Sequence, residues 1–477
     1  MVAMTWMMAH GQQSNTFYLM HQVPQSNLLN PAVQLRCKWY VGIPALASGH
    51  VSYSNTAFTY NDIAGSDTWN LGVVDQMHRR DLYSAEAVFQ LVSIGYRHKL
   101  TYFTFNIAER SNLYSVVPKE LAVIAVNGNG PLVGEITRFR AFRPAGYYQR
   151  EYSLGVSRVI DRTLTVGARA KLIFGKAGMY PGSSNLQFHT NESNFNLLLQ
   201  GDYTMNISLP LIISQDADGN ISGVSLEDLN YPELLLNRGN PGMGIDLGIL
   251  YHPDDRITLA ASLLDMGFVR WRTDLNTVRT EGTFDFRGVD AGTDVVSFDY
   301  LEEMIDSLRN SFTEVVIHQP YFSSAPAQLF LAGSYQFKEH MSVGLVNRNV
   351  LFRNKVHSSF SVIYQIELAS RFLATASWSY LNNSLLNLGA GVAYYGAGMQ
   401  FHVVTDNLMG FFFPFDTRTL NLRVGINLML GCPRNRKELL ESESYGRMPD
   451  PENCGMPSNP GRREKKMERA ARRYNRK

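Results

Sequence analysis

The segment DADGNISGVSLE, residues 216–227, places oxygen-bearing side chains at a spacing that calcium loops use. Asp216, Asp218, Asn220 and Glu227 stand at the first, third, fifth and twelfth positions of such a loop. The sixth position, where the chain must turn sharply, is Ile221 rather than Gly. No helix pair flanks the segment. An Asp-Gly turn in a surface loop accounts for the same residues, so calcium is the weaker of two readings. No other metal and no cofactor is expected.

Eleven histidines are scattered along the chain without an HExxH pattern or a helical pair beside carboxylates. His252 falls next to Asp254 and Asp255 in a turn. No GxSxG elbow, phosphate loop or dinucleotide fingerprint occurs. The Gly-rich GAGVAYYGAG, residues 389–398, reads as a hairpin with small inward side chains. No catalytic residue stands out, and the chain is not expected to be an enzyme. SLLDMGFVRW, residues 262–271, sets Asp265 near Arg270, Trp271 and Arg272. It reads as a strand bulged around Gly267 with Phe268 and Trp271 at a membrane interface. A ligand contact is the alternative.

Four further charges are informative because of where their strands place them. In TLTVGARAKLIF (163–174) one face carries Leu164, Val166, Ala168, Ala170, Leu172 and Phe174, and the other carries Arg169 and Lys171. MGIDLGILYH (243–252) opposes Met243, Ile245, Leu247, Ile249 and Tyr251 to Asp246. LNLRVGINLMLG (420–431) opposes Leu420, Leu422, Val424, Ile426, Leu428 and Leu430 to Arg423. Arg169, Lys171, Asp246 and Arg423 are therefore candidates to face a lumen. There they either pair with one another or set the selectivity of a pathway.

Such strands recur from about residue 38 to residue 431, several near ten residues long, the length a tilted strand needs to cross a bilayer. The 477 residues include 18% charged, below the roughly 25% usual for soluble domains. No run of about 18 apolar residues could span as a helix. Tight connections such as IDR (160–162) and HPDD (252–255) alternate with long ones, 209–240 and 273–325. Short helices are expected at 118–126, led by Pro118, and at 298–312. The expected fold is all-β: a transmembrane antiparallel barrel of about 14 strands, range 12–16. Only a closed barrel lets strands meet lipid with no unpaired edge.

The chain divides into residues 1–11, an export-signal remnant without a basic residue; 12–37, an N-terminal segment; 38–431, the barrel; and 432–477, a polar, basic tail. The tail reads either as a solvated segment or as a periplasmic handle for an anionic partner. Of the three cysteines, Cys432 and Cys454 either pair in an oxidising periplasm or remain free thiols. In the last strand, Arg423, Gly425, Leu428 and Leu430 fit the polar–x–Gly–x–x–apolar–x–apolar pattern that barrel-assembly machinery recognises. Lipid and that machinery are the expected partners. A net charge of +2 gives no reason to expect nucleic acid.

FYLMHQVPQSNLLNPA (17–32) carries Asn30, Pro31 and Ala32 just before the first strand. This segment resembles the N-terminus of fatty-acid-transporter-like barrels and of PorP/SprF-type barrels of the Bacteroidota. VGIPALASGHVSYSN (41–55), LVSIGYRHKLTYFTFNIAERSN (91–112), PKELAVIAVNGN (118–129), SLLDMGFVRW (262–271) and VTDNLMG (404–410) resemble an uncharacterised Bacteroidota family of outer-membrane barrels. The resemblance spans most of residues 17–431. It implies an outer-membrane location and a plug-like role for residues 12–37, and it carries over no catalytic residue.

Two functions follow as expectations. A transporter or channel for small or hydrophobic solutes would show a lumen passage or a lateral opening. A structural subunit of an envelope machine, such as the type IX secretion and gliding apparatus, would show a plugged lumen and bind a periplasmic protein through residues 432–477. A soluble secreted β enzyme is the third and weakest class.

Overall fold

The structure is a computed structural model. It describes residues 14–59, 61, 77, 81–120, 123, 130–138, 143–194, 196–215, 221–226, 231–286, 311–352, 355–368, 371–381 and 384–432. The export segment, the four calcium candidates, residues 298–310 of the second expected helix, and the tail from 433, with Cys454, lie outside these. Phe312, the end of that expected helix, instead opens a strand, Phe312–Ile317. At the other expected helix, Lys119, Glu120 and Val123 are helical, Pro118 is not, and the remainder is outside the described residues.

Fourteen antiparallel strands close on themselves. The first, β1, is broken into Trp39–Gly42 and Gly49–Asn55. It is followed by β2 (Asp81–His98), β3 (Thr101–Val117), β4 (Ala145–Val159) and β5 (Leu164–Ser184). Next come β6 (Asn240–Tyr251), β7 (Ile257–Trp271), β8 (Ala327–Lys338) and β9 (Met341–Phe352). The last five are β10 (Lys355–Leu368), β11 (Phe372–Leu381), β12 (Ser384–Gly396), β13 (Met399–Thr405) and β14 (Thr419–Leu430). Each pairs with the next, and β14 pairs back on both halves of β1, with Trp39 opposite Leu430 and Tyr53 opposite Leu420. Closure leaves no edge to satisfy.

The period-two pattern decides which face goes where. Met243, Ile245, Leu247, Ile249 and Tyr251 of β6 are exposed on the outer wall, and Asp246 is fully buried inside. On β14, Val424, Leu428 and Leu430 are exposed, while Asn421, Arg423 and Asn427 are buried. Near the end where β1 begins and β14 ends, the outer wall carries rings in contact: Trp39 on Tyr96, Phe337 on Tyr364, and Phe372 on Tyr394. An apolar outer band bordered by aromatics is the surface that lipid and its interface select.

At the terminal end, where β1 begins and β14 ends, strands are joined by tight turns. In the turn between β4 and β5, Asp161 accepts from the backbone N–H and hydroxyl of Thr163 and from the Leu164 N–H. The Thr163 backbone bond, with these others, holds its carboxyl below the usual carboxylate range. Asp254 likewise caps the turn before β7 through the N–H groups of Arg256 and Ile257. Connections at the far end are mostly long. There β5 runs for 21 residues and pairs beyond the barrel wall with Leu197–Ser208, which pairs in turn with Leu275–Phe286.

Two local breaks shape the interior. Residues 43–48 leave the wall between the halves of β1, where Pro44 has no N–H to give and Ala45 takes φ 62°. Their backbone is still paired: Ile43 N–H donates to Ile426 O, Ile426 N–H to Leu46 O, and Gln90 N–H to Ser48 O. The second break is a bulge in β7. It lies at Leu264–Asp265, not around Gly267, because Asp265 takes φ 60° and Asp246 Oδ1 accepts its N–H at 2.8 Å. Asp tolerates a left-handed conformation better than most residues. The extra residue switches the parity of the strand. Ala260, Ser262 and Leu264 are buried before it, and Asp265, Val269 and Trp271 after it. Trp271, expected at the membrane interface, is therefore inside the barrel, and Phe268 alone is on the outer wall.

The cysteine pairing also differs from expectation. Cys37 and Cys432 form the disulfide, across 395 residues of sequence. Closure of β1 on β14 brings these two positions together, which separation along the chain conceals.

Candidate functional site

Residues 14–37 lie inside the barrel. They begin at mid-height with Ser14, form a short helix at Asn15–Tyr18 and a 3-10 turn at Pro24–Leu28, and leave beside the end of β14. Phe17, Tyr18, Leu19, Met20, Val23, Leu29 and Val33 make an apolar core with wall residues from β6 to β13, among them Leu250, Phe330, Ile363 and Leu373. Tyr18 stacks on Phe330 with centroids 4.6 Å apart. This tier of the lumen is thus largely apolar, where the alternation alone suggested polar packing throughout.

Asn30, Pro31 and Ala32 sit against the wall where two glycines admit them. A Cβ on Gly248 would come within 2.2 Å of Asn30 Oδ1, and one on Gly167 within 2.2 Å of Pro31 O. Asn30 Nδ2 donates to Tyr18 Oη at 3.2 Å, and its Oδ1 accepts the Ala32 N–H at 3.0 Å. Polar ties hold the remainder. Asn15 Nδ2 donates to Ser359 and Ser361, Thr16 N–H donates to Asp406 at 2.7 Å, and Thr16 shares a hydrogen bond with Ser377. Gln25 and Asn427 exchange amide hydrogen bonds.

Above this segment lies a charged tier. Successive strands carry Glu86 (β2), Arg110 (β3), Glu151 (β4), Arg169 and Lys171 (β5), Asp246 (β6), Asp265 (β7) and, past Gln328, Arg348 (β9). Arg423 of β14 faces the same cavity, so the charges form an incomplete ring. Lys171 Nζ lies 2.9 Å from Asp246 and 2.5 Å from Asp265. Arg169 meets Asp246 at 2.9 Å, and Arg110 meets Asp265 at 3.0 Å and Glu151 at 3.4 Å. Gln328 bridges the last gap: its amide donates to Asp265 and its carbonyl oxygen accepts from Arg348. Arg423 donates to Ser14 and lies 4.9 Å over the ring of Phe17. The structure therefore joins three of the four charges read from sequence, Arg169, Lys171 and Asp246, in one network. Arg423 faces the same lumen and is tied to the N-terminal segment, as Arg169 also is through Asn27 and Leu28.

A cavity of about 60 Å³ remains between the ring and Ser14, bordered by Glu86, Arg110, Arg348, Arg423 and His50. That is room for about two waters. Among the described residues, buried Ser48 Oγ, Gln90 Oε1 and Asn106 Nδ2 on its border lack a protein hydrogen-bond partner. Buried polar groups of this kind are served by water or a polar solute. At the far side, Trp271 closes over the tier. It stacks on Tyr321 at 5.9 Å and donates to Ser323, and Gly175 and Gly178 leave room for its ring.

Glu86, Arg110, Glu151 and Arg348 escape a reading made one strand at a time, although they obey the same alternation. In TYFTFNIAERSNLYSVV, Tyr102, Thr104, Asn106, Ala108, Arg110, Asn112 and Tyr114 share the inner face. The signal was present as a polar stripe ending in a charge. Asp265 is inside, but Arg270 and Arg272, read as its neighbours at a ligand contact, point outward, Arg270 over Phe322. Among the described residues no cluster of His, Cys, Asp and Glu is arranged to hold a metal.

Residues 31–406 match the Family of unknown function (DUF5723), and the chain belongs to that family. No curated protein matches it. Solved structures similar to it include the toluene transporter TbuX of Ralstonia pickettii, at 13% identity, TM-score 0.38, over 85% of this chain and 94% of that one. The CymD monoaromatic hydrocarbon channel gives 10% identity and TM-score 0.40 over 85% and 93%. A FadL homologue of Pseudomonas aeruginosa gives 10% and 0.33 over 86% and 94%. Scores this low make each a likeness in outline.

Proposed function

We propose that this member of an unknown-function family is an outer-membrane barrel that conducts a small polar or charged solute when its N-terminal segment shifts. The observation that carries the reading is the charged tier. Ionisable groups are expensive at membrane depth, and where they converge on an internal cavity they mark solute or ion pathways. The outer apolar band and its aromatic contacts support the membrane placement. A passage restricted to hydrophobic solutes fits less well, because every strand from β2 to β9 presents a charge or a carboxamide at this height. The test is solute flux into phosphatidylcholine vesicles reconstituted with the intact chain. Uptake of small charged or polar solutes above that of empty vesicles supports the reading, and none at all opposes it.

A second reading, a structural subunit of an envelope machine, is favoured by one observation: residues 14–37 occupy the lumen and pack against its wall. Gentle extraction through a tag in a far-end loop, with and without residues 432–477, distinguishes the two. A stoichiometric protein lost with the tail would favour the subunit.

A further inference from the structure

Between β13 and β14 the chain reads Leu408-Met409-Gly410-Phe411-Phe412-Phe413-Pro414-Phe415, eight residues without a polar side chain. It forms a short helix, Met409–Phe412, followed by a 3-10 turn, Pro414–Asp416. Leu408, Met409 and all four phenylalanines are exposed, Phe412 by 68%. The loop is nevertheless anchored. Leu408 N–H donates to Leu388 O at 2.6 Å, and Phe413 N–H to Met409 O at 2.8 Å. Asn407 donates to Thr417 Oγ1 at 2.6 Å and to Thr419 O at 2.9 Å, and accepts from the Gly410 N–H. Asn61 donates to Asp416 at 2.6 Å, tying the loop's far side. Polar groups thus hold the base of the loop, and the aromatic side chains project from it.

The patch continues the outer apolar band. Leu388, whose carbonyl receives Leu408, is itself exposed on the outer wall, as are Leu385 and Val403. Gly410 lies against Leu420, where a Cβ would come within 3.3 Å of its side chain. Of the neighbouring far-end connections, 353–354 and 382–383 are two residues long, and the one from β1 to β2 lies largely outside the described residues.

We propose that residues 408–415 are a lipid-seated wedge, with Phe411, Phe412, Phe413 and Phe415 set among acyl chains at the far rim of the barrel. The inference rests on the membrane placement proposed above. An exposed apolar patch that continues a lipid-facing band is completed by lipid at no cost in unpaired polar groups. The wedge fixes the depth and tilt of the β12–β14 side, which among the described residues has no tall extension of its own.

The test uses the full chain with Cys454→Ser, the disulfide intact, reconstituted into phosphatidylcholine vesicles. Single cysteines at Phe412→Cys, Leu345→Cys on the outer wall and Asp255→Cys in a terminal-end turn carry an environment-sensitive fluorophore. The expected result is that the Phe412→Cys label is quenched by lipid-borne nitroxide and shielded from aqueous iodide, as at Leu345→Cys and unlike Asp255→Cys. A Phe412→Cys label that behaves like Asp255→Cys, while Leu345→Cys reports lipid, overturns the wedge alone. An aqueous signal at Leu345→Cys overturns the membrane placement and the wedge with it.

Discussion

Asp246 is the residue on which most of the charged tier depends. One carboxylate receives Arg169 and Lys171 and also caps the bulge at Asp265. Removing one partner of a buried ion pair leaves the others charged and unsatisfied, typically at about 3–5 kcal/mol. Asp246→Ala is therefore expected to lower the unfolding free energy of the barrel in detergent by that order, read from a urea titration followed by intrinsic fluorescence. Arg279→Ala breaks a pair with Glu281 that is 3.6 Å long and open to solvent. It should change the unfolding free energy by about 0–1 kcal/mol. Equal effects of the two variants would mean that the tier is hydrated enough to screen its charges. That Asp246, Arg169, Lys171 and Arg423 point inward was legible from alternation alone. Their partners were not, because pairing depends on which strands are neighbours. Nor was the parity switch at Leu264–Asp265, which moved Trp271 inside, since a bulge leaves no period of its own.

At the scale of elements, the N-terminal segment and the closing seam are separable. Gly248 admits Asn30, and a larger side chain there meets it before it can seat. Gly248→Val is expected to displace residues 14–36 while keeping the barrel, which would appear as new protease cleavage within the segment and unchanged heat-modifiable migration on gels. Loss of the folded band would instead show that the segment is part of the barrel's core. The Cys37–Cys432 bond joins the two ends of the barrel sequence at the β1–β14 seam. Disulfides that close long loops contribute about 2–5 kcal/mol. Cys37→Ser is expected to lower the thermal midpoint of the folded band, and reductant should lower the wild type to match. The Asn-Pro-Ala element flagged the segment in the sequence, but the glycines that receive it sit on β5 and β6, far away in the chain.

For the whole molecule, strand count and face assignment were readable because a closed barrel makes every strand obey one rule: apolar outward, polar or small inward. The exceptions lie where other physics enters. The lower lumen is apolar because residues 17–33 supply a core there. The rim at 408–415 breaks alternation because it is a loop, and its aromatics follow no period. The proposed function requires that the N-terminal segment close a pathway lined by the charged tier. The most direct measurement is single-channel conductance in planar bilayers, comparing the intact chain with one lacking residues 14–36. Rare, brief openings are expected of the intact barrel, in keeping with slow uptake into vesicles, and stable, ion-selective openings after deletion, with the selectivity altered by Arg423→Glu. A deleted barrel that inserts and stays silent, or opens with a selectivity indifferent to Arg423, would contradict the proposed function.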